Sequence, residues 1–326
     1  MNMQDIRAAT TLTVQVSERE PVADGIVRFE LRPTSLDPLP PFTAGAHIDI
    51  KLPNGDVRQY SLCNAPYVND RYEIAILLEP QGRGGSRCAH AELQRGSVVQ
   101  ISAPRNLFPL SDARHSILVA GGIGITPILS MAYQLARDGR SFDLHYCTRS
   151  AARAAFLERI HASEFAENAV VYHDDRPEHE RFAAKHVLAN PADDTHIYVC
   201  GPTGFMDYVI ATAFDAGWRA THIHREYFAA ARTETPGDCS FTVEFAPTGL
   251  SVVVPPSQSV VEALAAHGVD IPISCEQGIC GTCVMKVLDG EPDHRDTFLT
   301  DQERAANDRF TPCCSRSKTA RLVIDF

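Results

Sequence analysis

The stretch Ser274–Cys283, SCEQGICGTC, places Cys275, Cys280 and Cys283 within nine positions. Cys313 follows after 29 intervening residues, so the chain reads C-x4-C-x2-C…C. That is the plant-type spacing for a [2Fe–2S] cluster. Four thiolates suit iron, and Gly278 and Gly281 allow loop amides to turn toward the sulfurs. A thioredoxin-like Cys280-x-x-Cys283 pair has no use for Cys275. A zinc ribbon needs a second spaced pair, where this chain has the adjacent Cys313 and Cys314. The pattern predicts Cys275, Cys280, Cys283 and Cys313 as metal ligands and Cys314 as a bystander, because Cys313 gives the usual spacing.

Working outward, composition limits what surrounds this loop. With 326 residues, 44% hydrophobic and 22% charged, the chain is long enough for two or three ordinary globular domains. Its N-terminus, MNMQDIRAATTLTVQ, lacks a basic start followed by an apolar run, so no signal peptide and a cytoplasmic location are expected. The most apolar window, Ile117–Ala132, is short and broken by three glycines and a proline, which predicts no membrane span. Ten cysteines in such a chain read as metal or redox chemistry rather than a disulfide framework. A net charge of −11 argues against nucleic acid as the partner. Residues 238–326 hold 13 acids against 7 bases. That excess reads either as a well-solvated face or as a docking face for a basic partner.

Punctuation predicts three domains: 1–112, 113–232 and 238–326. The first alternates short β-branched runs with turns, and the Asn-Gly of PNGD at Pro53–Asp56 predicts a tight hairpin. Six such strands suggest a small antiparallel barrel. From residue 113, SILVAGG, FDLHYCTR, AVVYHDD and HIYVCGP are buried-strand runs alternating with helical stretches, which predicts a parallel α/β sheet. AAARTETPGD reads as a linker. Beyond it come two strands and a helix opened by the capping box Ser259-x-x-Glu262.

Two segments of the front domains have phosphate-binding character. GRGGS at Gly82–Ser86 opens a helical stretch, and Arg58 and Arg83 add charge-assisted donors. GGIGITP at Gly121–Pro127 joins a strand to a helix. It is not the Gly-x-Gly-x-x-Gly fingerprint, yet its glycines permit close backbone approach to a pyrophosphate. His222 and His224, near THIHRE, are expected to face solvent and core in alternation rather than to bind metal.

Taken in order, RQYSLCN, GRGGS, PRNLFPL, AGGIGITPILSM, CGP, CGTC, DHRD and CCSR resemble the phthalate dioxygenase reductase and vanillate demethylase reductase family, within the ferredoxin–NADP reductase superfamily. The resemblance covers about 300 residues. It implies a flavin-binding barrel, a nicotinamide-binding domain and a C-terminal β-grasp ferredoxin domain. FMN, NADH and one [2Fe–2S] cluster would pass electrons to a separate Rieske-type oxygenase acting on an aromatic or small organic compound. By the same resemblance, Arg58, Tyr60, Ser61, Ala75, Ile76 and Leu77 lie along the flavin. Arg83, Gly84, Gly85 and Ser86 hold its phosphate. Thr126 lies between flavin and nicotinamide, and Phe228 near the flavin. Gly121, Gly122, Gly124, Cys200, Gly201, Pro202 and Met206 form the nicotinamide site, with Ser61, Thr126 and Cys200 at the hydride-transfer point. The link between AILLEP and GRGGS is too short to add an adenine platform, which favours FMN over FAD. After LHYCTR stands Ser150 where an acid would repel the extra phosphate of NADPH; Asp174 and Asp175 are expected to do so instead. The competing reading is a stand-alone electron carrier or redox sensor.

Electron counting gives the order of the cofactors. A nicotinamide surrenders two electrons together and a [2Fe–2S] cluster takes one, so a flavin must stand between them.

Overall fold

The computed structural model describes residues 11–80, 82, 84–228, 237–269, 271–273, 278, 281–296 and 298–325. The chain divides into two compact units, 1–228 and 229–326.

The first unit opens with strands β1 (Thr11–Ala23), β2 (Ile26–Pro33), β3 (Ala46–Lys51), β4 (Val57–Ser61), β5 (Tyr72–Leu77), β6 (Val98–Ser102) and β7 (Arg105–Asn106). They pair antiparallel in the order β4-β3-β6-β1-β2-β5, with β7 on β3. Leu62 bridges Ile74, and the Cys63 amide donates to the Glu73 carbonyl at 2.9 Å, closing the sheet into the expected barrel. The β3–β4 hairpin turns at Asn54-Gly55, where Gly55 has φ +88°, a conformation that favours glycine. Period-two alternation sends Ala46, Ile48 and Ile50 into the barrel core with Phe29, Leu31 and Ile74.

The parallel sheet follows: β8 (His115–Gly121), β9 (Ser141–Thr148), β10 (Ala169–His173), β11 (Thr195–Cys200) and β12 (Ile223–Glu226). Its order is β10-β9-β8-β11-β12, every pair parallel. Strand order therefore reverses between β8 and β11, and the crevice beyond their carboxyl ends is where such sheets bind ligands. Helices α1 (Gly85–Glu92), α2 (Ile125–Arg137), α3 (Leu157–His161), α4 (Ala184–Val187) and α5 (Thr203–Asp215) complete the unit. Apolar side chains of α2 pack with Leu118, Leu144 and Tyr198 of the sheet on one face, and those of α5 with Val119 and Val199 on the other.

A charged seam ties the two sheets together. The buried Glu73 of β5 accepts from Arg159 of α3 at 2.8 Å and lies 3.3 Å from Arg28 and 3.1 Å from Arg71. Burial raises the pKa of this carboxylate, but the guanidinium of Arg159 and then that of Arg28 pull it below the ordinary value. The Asp24 amide adds a backbone bond to Ala152 at 2.8 Å.

In the second unit, β13 (Phe241–Phe245), β14 (Leu250–Val254), β15 (Met285–Asp289), β17 (Arg309–Phe310) and β19 (Arg321–Asp325) order as β14-β13-β19-β15-β17. Strands β16 (Pro292–Asp293) and β18 (Arg316–Ser317) form a separate ribbon. Helix α6 (Val260–Ala265) buries Val260 and Leu264 in a core with Val243, Phe310 and Leu322. Its Ser259–Glu262 capping box is present as expected, and α7 (Asp301–Ala306) carries a second, Thr300–Glu303. The fold class read from the sequence and the resemblance is the one observed. Among the described residues, no helix is long and apolar enough to cross a membrane.

Candidate active site

A cleft of about 890 Å³ opens at the switch point of the parallel sheet. Its inner wall includes Ile26 and Leu77 from the barrel, and Gly121, Gly122 and Pro202 from the ends of β8 and β11. The glycines create this space by letting backbones touch. A Cβ on Gly124 would lie 2.2 Å from the Cys200 carbonyl oxygen, and one on Gly201 would lie 2.9 Å from the Cα of Gly121. Gly122 adopts φ +52°, in the left-handed region.

Ser61, at the end of β4, donates to Glu226, at the end of β12, at 3.0 Å. Cys200 pairs in register with Glu226 across β11 and β12, so three reactive side chains meet beside the switch point. Burial raises the Glu226 carboxyl to about 7, although the Ser61 hydrogen bond acts in the opposite direction. Burial, and then the Glu226 carboxylate, hold the Cys200 thiol well above its usual range, so it is a neutral thiol with no exposed surface. Thr126 is buried and donates to the Ile123 carbonyl at 3.1 Å, fixing the first turn of α2.

The phosphate cradle is built at α1. Gly84 precedes the helix with φ +97°, and no acidic residue occupies the first turn, which leaves the helix N-terminus electropositive. The Arg58 side chain lies across Gly85 so closely that a Cβ there would meet its Nε at 2.6 Å. Arg58 also pairs with Asp56 at 3.0 Å, and the Ser86 hydroxyl accepts from the Glu79 amide at 3.0 Å. A glycine-shaped cradle, the amides of a helix N-terminus and a neighbouring guanidinium fit the phosphate of FMN.

Other expected residues fall differently. Ile76 points into the barrel core, while Ala75 and Leu77 face the parallel-sheet side. Tyr60 packs against the barrel core, where burial raises its phenol to about 12. Met206 is wholly buried beneath the sheet, in the α5 core. Phe228 is 40% exposed and is not among the residues lining the cleft. Arg83 lies outside the described residues. Glu226 is the residue that sequence reasoning missed. Its only signal is a charged residue ending a short strand, which singles out nothing.

In the second unit, the Cys283 and Cys313 sulfurs stand 3.2 Å apart; Cys275 and Cys280 lie outside the described residues. Gly278 and Gly281 both have φ +70°. A Cβ on Gly278 would lie 2.4 Å from the Cys314 sulfur, and one on Gly281 would overlap the Phe298 ring. Cys314 is turned toward the hydroxyl of Thr311, with the sulfur and oxygen 3.3 Å apart. Two converging thiols beside a loop that only glycine fits agree with a thiolate-held cluster. His222 and His224 do not alternate. Both are half-buried beside His196, whose ring nitrogen lies 2.8 Å from that of His224. His222 closes the short turn that precedes β12, and that turn brings its ring onto the same side as His224.

The barrel with its phosphate cradle, the switch-point cleft and the cysteine loop define an electron-transfer oxidoreductase with a ferredoxin domain. Residues 243–318 match the 2Fe-2S iron-sulfur cluster binding domain, and 103–223 match the dimethylamine monooxygenase subunit DmmA-like N-terminal domain. The chain is 54% identical to a vanillate O-demethylase oxidoreductase of Pseudomonas putida, over 95% of this chain and 98% of that one. It is 39% identical to the phthalate dioxygenase reductase of Burkholderia cepacia, over 96% and 97%. A solved phthalate dioxygenase reductase, described as a modular structure for electron transfer from pyridine nucleotides to [2Fe-2S], superposes with a TM-score of 0.77 at 38% identity, covering all of both chains. The chain belongs to the family of vanillate O-demethylase oxidoreductases and phthalate dioxygenase reductases, the electron-transfer components of oxygenase systems. It is an oxidoreductase with a [2Fe–2S] domain, FMN and NADH as its cofactors, and an oxygenase as its partner.

Proposed function

We propose that the partner is a Rieske-type oxygenase that removes a methyl group from a methoxylated aromatic acid of the vanillate type. The observation that carries this reading is the identity gradient: three vanillate O-demethylase oxidoreductases match at 45–54%, whereas the phthalate dioxygenase reductase matches at 39%. FMN, when bound, supplies the conversion of a two-electron donation into single-electron steps. The chain's residues position and exclude. Arg58, Gly84, Gly85 and Ser86 anchor the flavin phosphate. Ser61, with Ala75 and Leu77, lies along the ring; Gly121, Gly122 and Pro202 seat the nicotinamide. Glu226 fixes the Ser61 hydroxyl, and Cys200 and Thr126 keep the meeting point dry. Cys275, Cys280, Cys283 and Cys313 hold the cluster. Residues 1–112, 113–232 and 238–326 divide these three tasks, and the protein works in the cytoplasm, where NADH is at hand.

The test is reconstitution. The purified protein, NADH and a vanillate-demethylating oxygenase should convert vanillate to the demethylated catechol, and a phthalate dioxygenase component should be served far more slowly. Equal rates with both would remove the vanillate assignment.

A further inference from the structure

The outer half of the cleft carries charges that stand apart from the ion pairs of the barrel and the seam. Arg28, Arg71, Arg105 and Arg159 are all held in ion pairs. Arg149 and Arg153 line the cleft with no ion pair or side-chain hydrogen bond among the described residues, and Asp174 lines it in the same state. Local backbone geometry puts these charges at one place. Thr148 pairs in register with His173 at the ends of β9 and β10, and the Asp174 amide donates to the Thr148 carbonyl at 2.9 Å. The chain then runs Arg149 from one strand and Asp174 from the other. Arg153 ends the short turn that follows Ser150, its amide bonded to the Ser150 carbonyl at 3.1 Å.

The same wall continues into Phe182, Phe205 and Tyr208. Phe182 and Phe205 have ring centroids 6.1 Å apart, and a Cβ on Gly121 would meet the Phe205 ring at 2.7 Å. The aromatic shelf therefore begins at the glycine crevice and leads away from it toward the charged strand ends. A dinucleotide with its nicotinamide in the crevice would lay its adenosine half along this shelf.

We propose that Arg149, Arg153 and Asp174 together set the choice between NADH and NADPH at the adenosine ribose, an assignment that rests on reading this cleft as the nucleotide site. Asp174 accepts from a ribose 2′-hydroxyl and repels a 2′-phosphate; Arg149 and Arg153 attract that phosphate. Arg149 and Arg153 stand beside Asp174 at the strand ends, with Asp24 and Glu79 on the barrel side of the same cleft, so discrimination against NADPH is graded. NADPH binds more weakly than NADH but is accepted. Asp175 has no part in this, since it does not line the cleft.

The experiment is calorimetric titration of the FMN-loaded full chain with ADP-ribose and with 2′-phospho-ADP-ribose, neither of which reduces the flavin. Asp174→Asn should tighten 2′-phospho-ADP-ribose roughly tenfold and leave ADP-ribose within about threefold, the size expected for removing one unit charge near a phosphate. The double variant Arg149→Gln/Arg153→Gln should weaken only the 2′-phosphorylated ligand, by roughly tenfold or more. Variants that move both ligands equally, or neither, would overturn the ribose assignment while leaving the nucleotide site intact. Failure of ADP-ribose to bind the unaltered protein would instead overturn the cleft reading beneath it.

Discussion

Replacing Gly124 with alanine adds one methyl group at the point where the β8 loop touches β11. That Cβ would lie 2.2 Å from the Cys200 carbonyl oxygen, 2.4 Å from its carbonyl carbon and 2.7 Å from the Gly201 nitrogen. All three are backbone atoms, so no side chain can swing aside, and the loop must lift by about 1 Å to reach ordinary van der Waals contact. Forcing an extra methyl into a packed site costs about 1–3 kcal/mol. For a unit of this size, each kcal/mol lowers the unfolding temperature by about 2–4 °C, so Gly124→Ala should unfold roughly 2–12 °C early. The lift also carries Gly121 and Gly122 away from the place where nicotinamide meets flavin. A displacement near 1 Å costs about a hundredfold in a positioned reaction. Stopped-flow reduction of the flavin by NADH reads this directly. Gly204→Ala is the control: nothing lies within 4 Å of its added Cβ, and it sits in the first turn of α5. It should leave the rate alone and raise the unfolding temperature slightly, by the helix propensity gained. If Gly124→Ala unfolds and reacts like the unaltered protein, the glycine does not hold the crevice in shape.

Glu226→Gln keeps a hydrogen-bonding partner for Ser61 and removes the charge. Because the folded carboxyl titrates near 7, above its unfolded value, the native state loses stability as pH rises between about 4.5 and 7. The variant should therefore be the more stable protein at pH 8, by on the order of 2–3 kcal/mol, and equal at pH 4, as followed by denaturant melts. His47 behaves in the opposite sense. Burial, and then Arg105, lower it to about 3, so at pH 5 the unfolded chain binds a proton that the native state refuses. Acidification from pH 7 to 5 should cost about 2 kcal/mol through this residue, and His47→Gln should abolish that share of the slope. Cys313→Ser should remove the iron and stop reduction of one-electron protein acceptors, while NADH still reduces a two-electron dye. Cys314→Ser should retain iron, as measured by metal content and visible absorption.

The barrel, the parallel sheet and the α6 cap were legible because each rests on local rules: alternation, the Asn-Gly turn and Ser-x-x-Glu. The Ser61–Glu226 pair was not, since it joins residues 165 positions apart through the docking of two sheets. Met206 fits the expected motif by position, yet the helix turns it into the core, which no short string announces. The acidic excess of the last domain is the clearest case of charge read without its partners. Asp289, Glu291 and Asp293 pair with Arg321, Lys318 and Arg295. Asp296 is buried and accepts from the Leu299 amide, and Glu303 closes a capping box. Of that run of acids, Asp301 alone projects fully into solvent, 3.8 Å from Arg304. Five of those six acids are therefore engaged within their own domain.

The Glu73–Arg159 seam has a consequence for how this protein can be taken apart or recombined. A buried ion pair is tolerable only while both partners are present, and losing one leaves a charge stranded away from water at a cost of several kcal/mol. Cutting the chain between barrel and parallel sheet would take Arg159 from Glu73, leave that carboxylate to Arg28 and Arg71, and open Ala75 and Cys63 to solvent. The natural cassette for a chimaera is thus the whole of 1–228, flavin cradle and nucleotide cleft together. A barrel shuffled in from a relative would have to present a carboxylate where Arg159 of the remaining half can meet it.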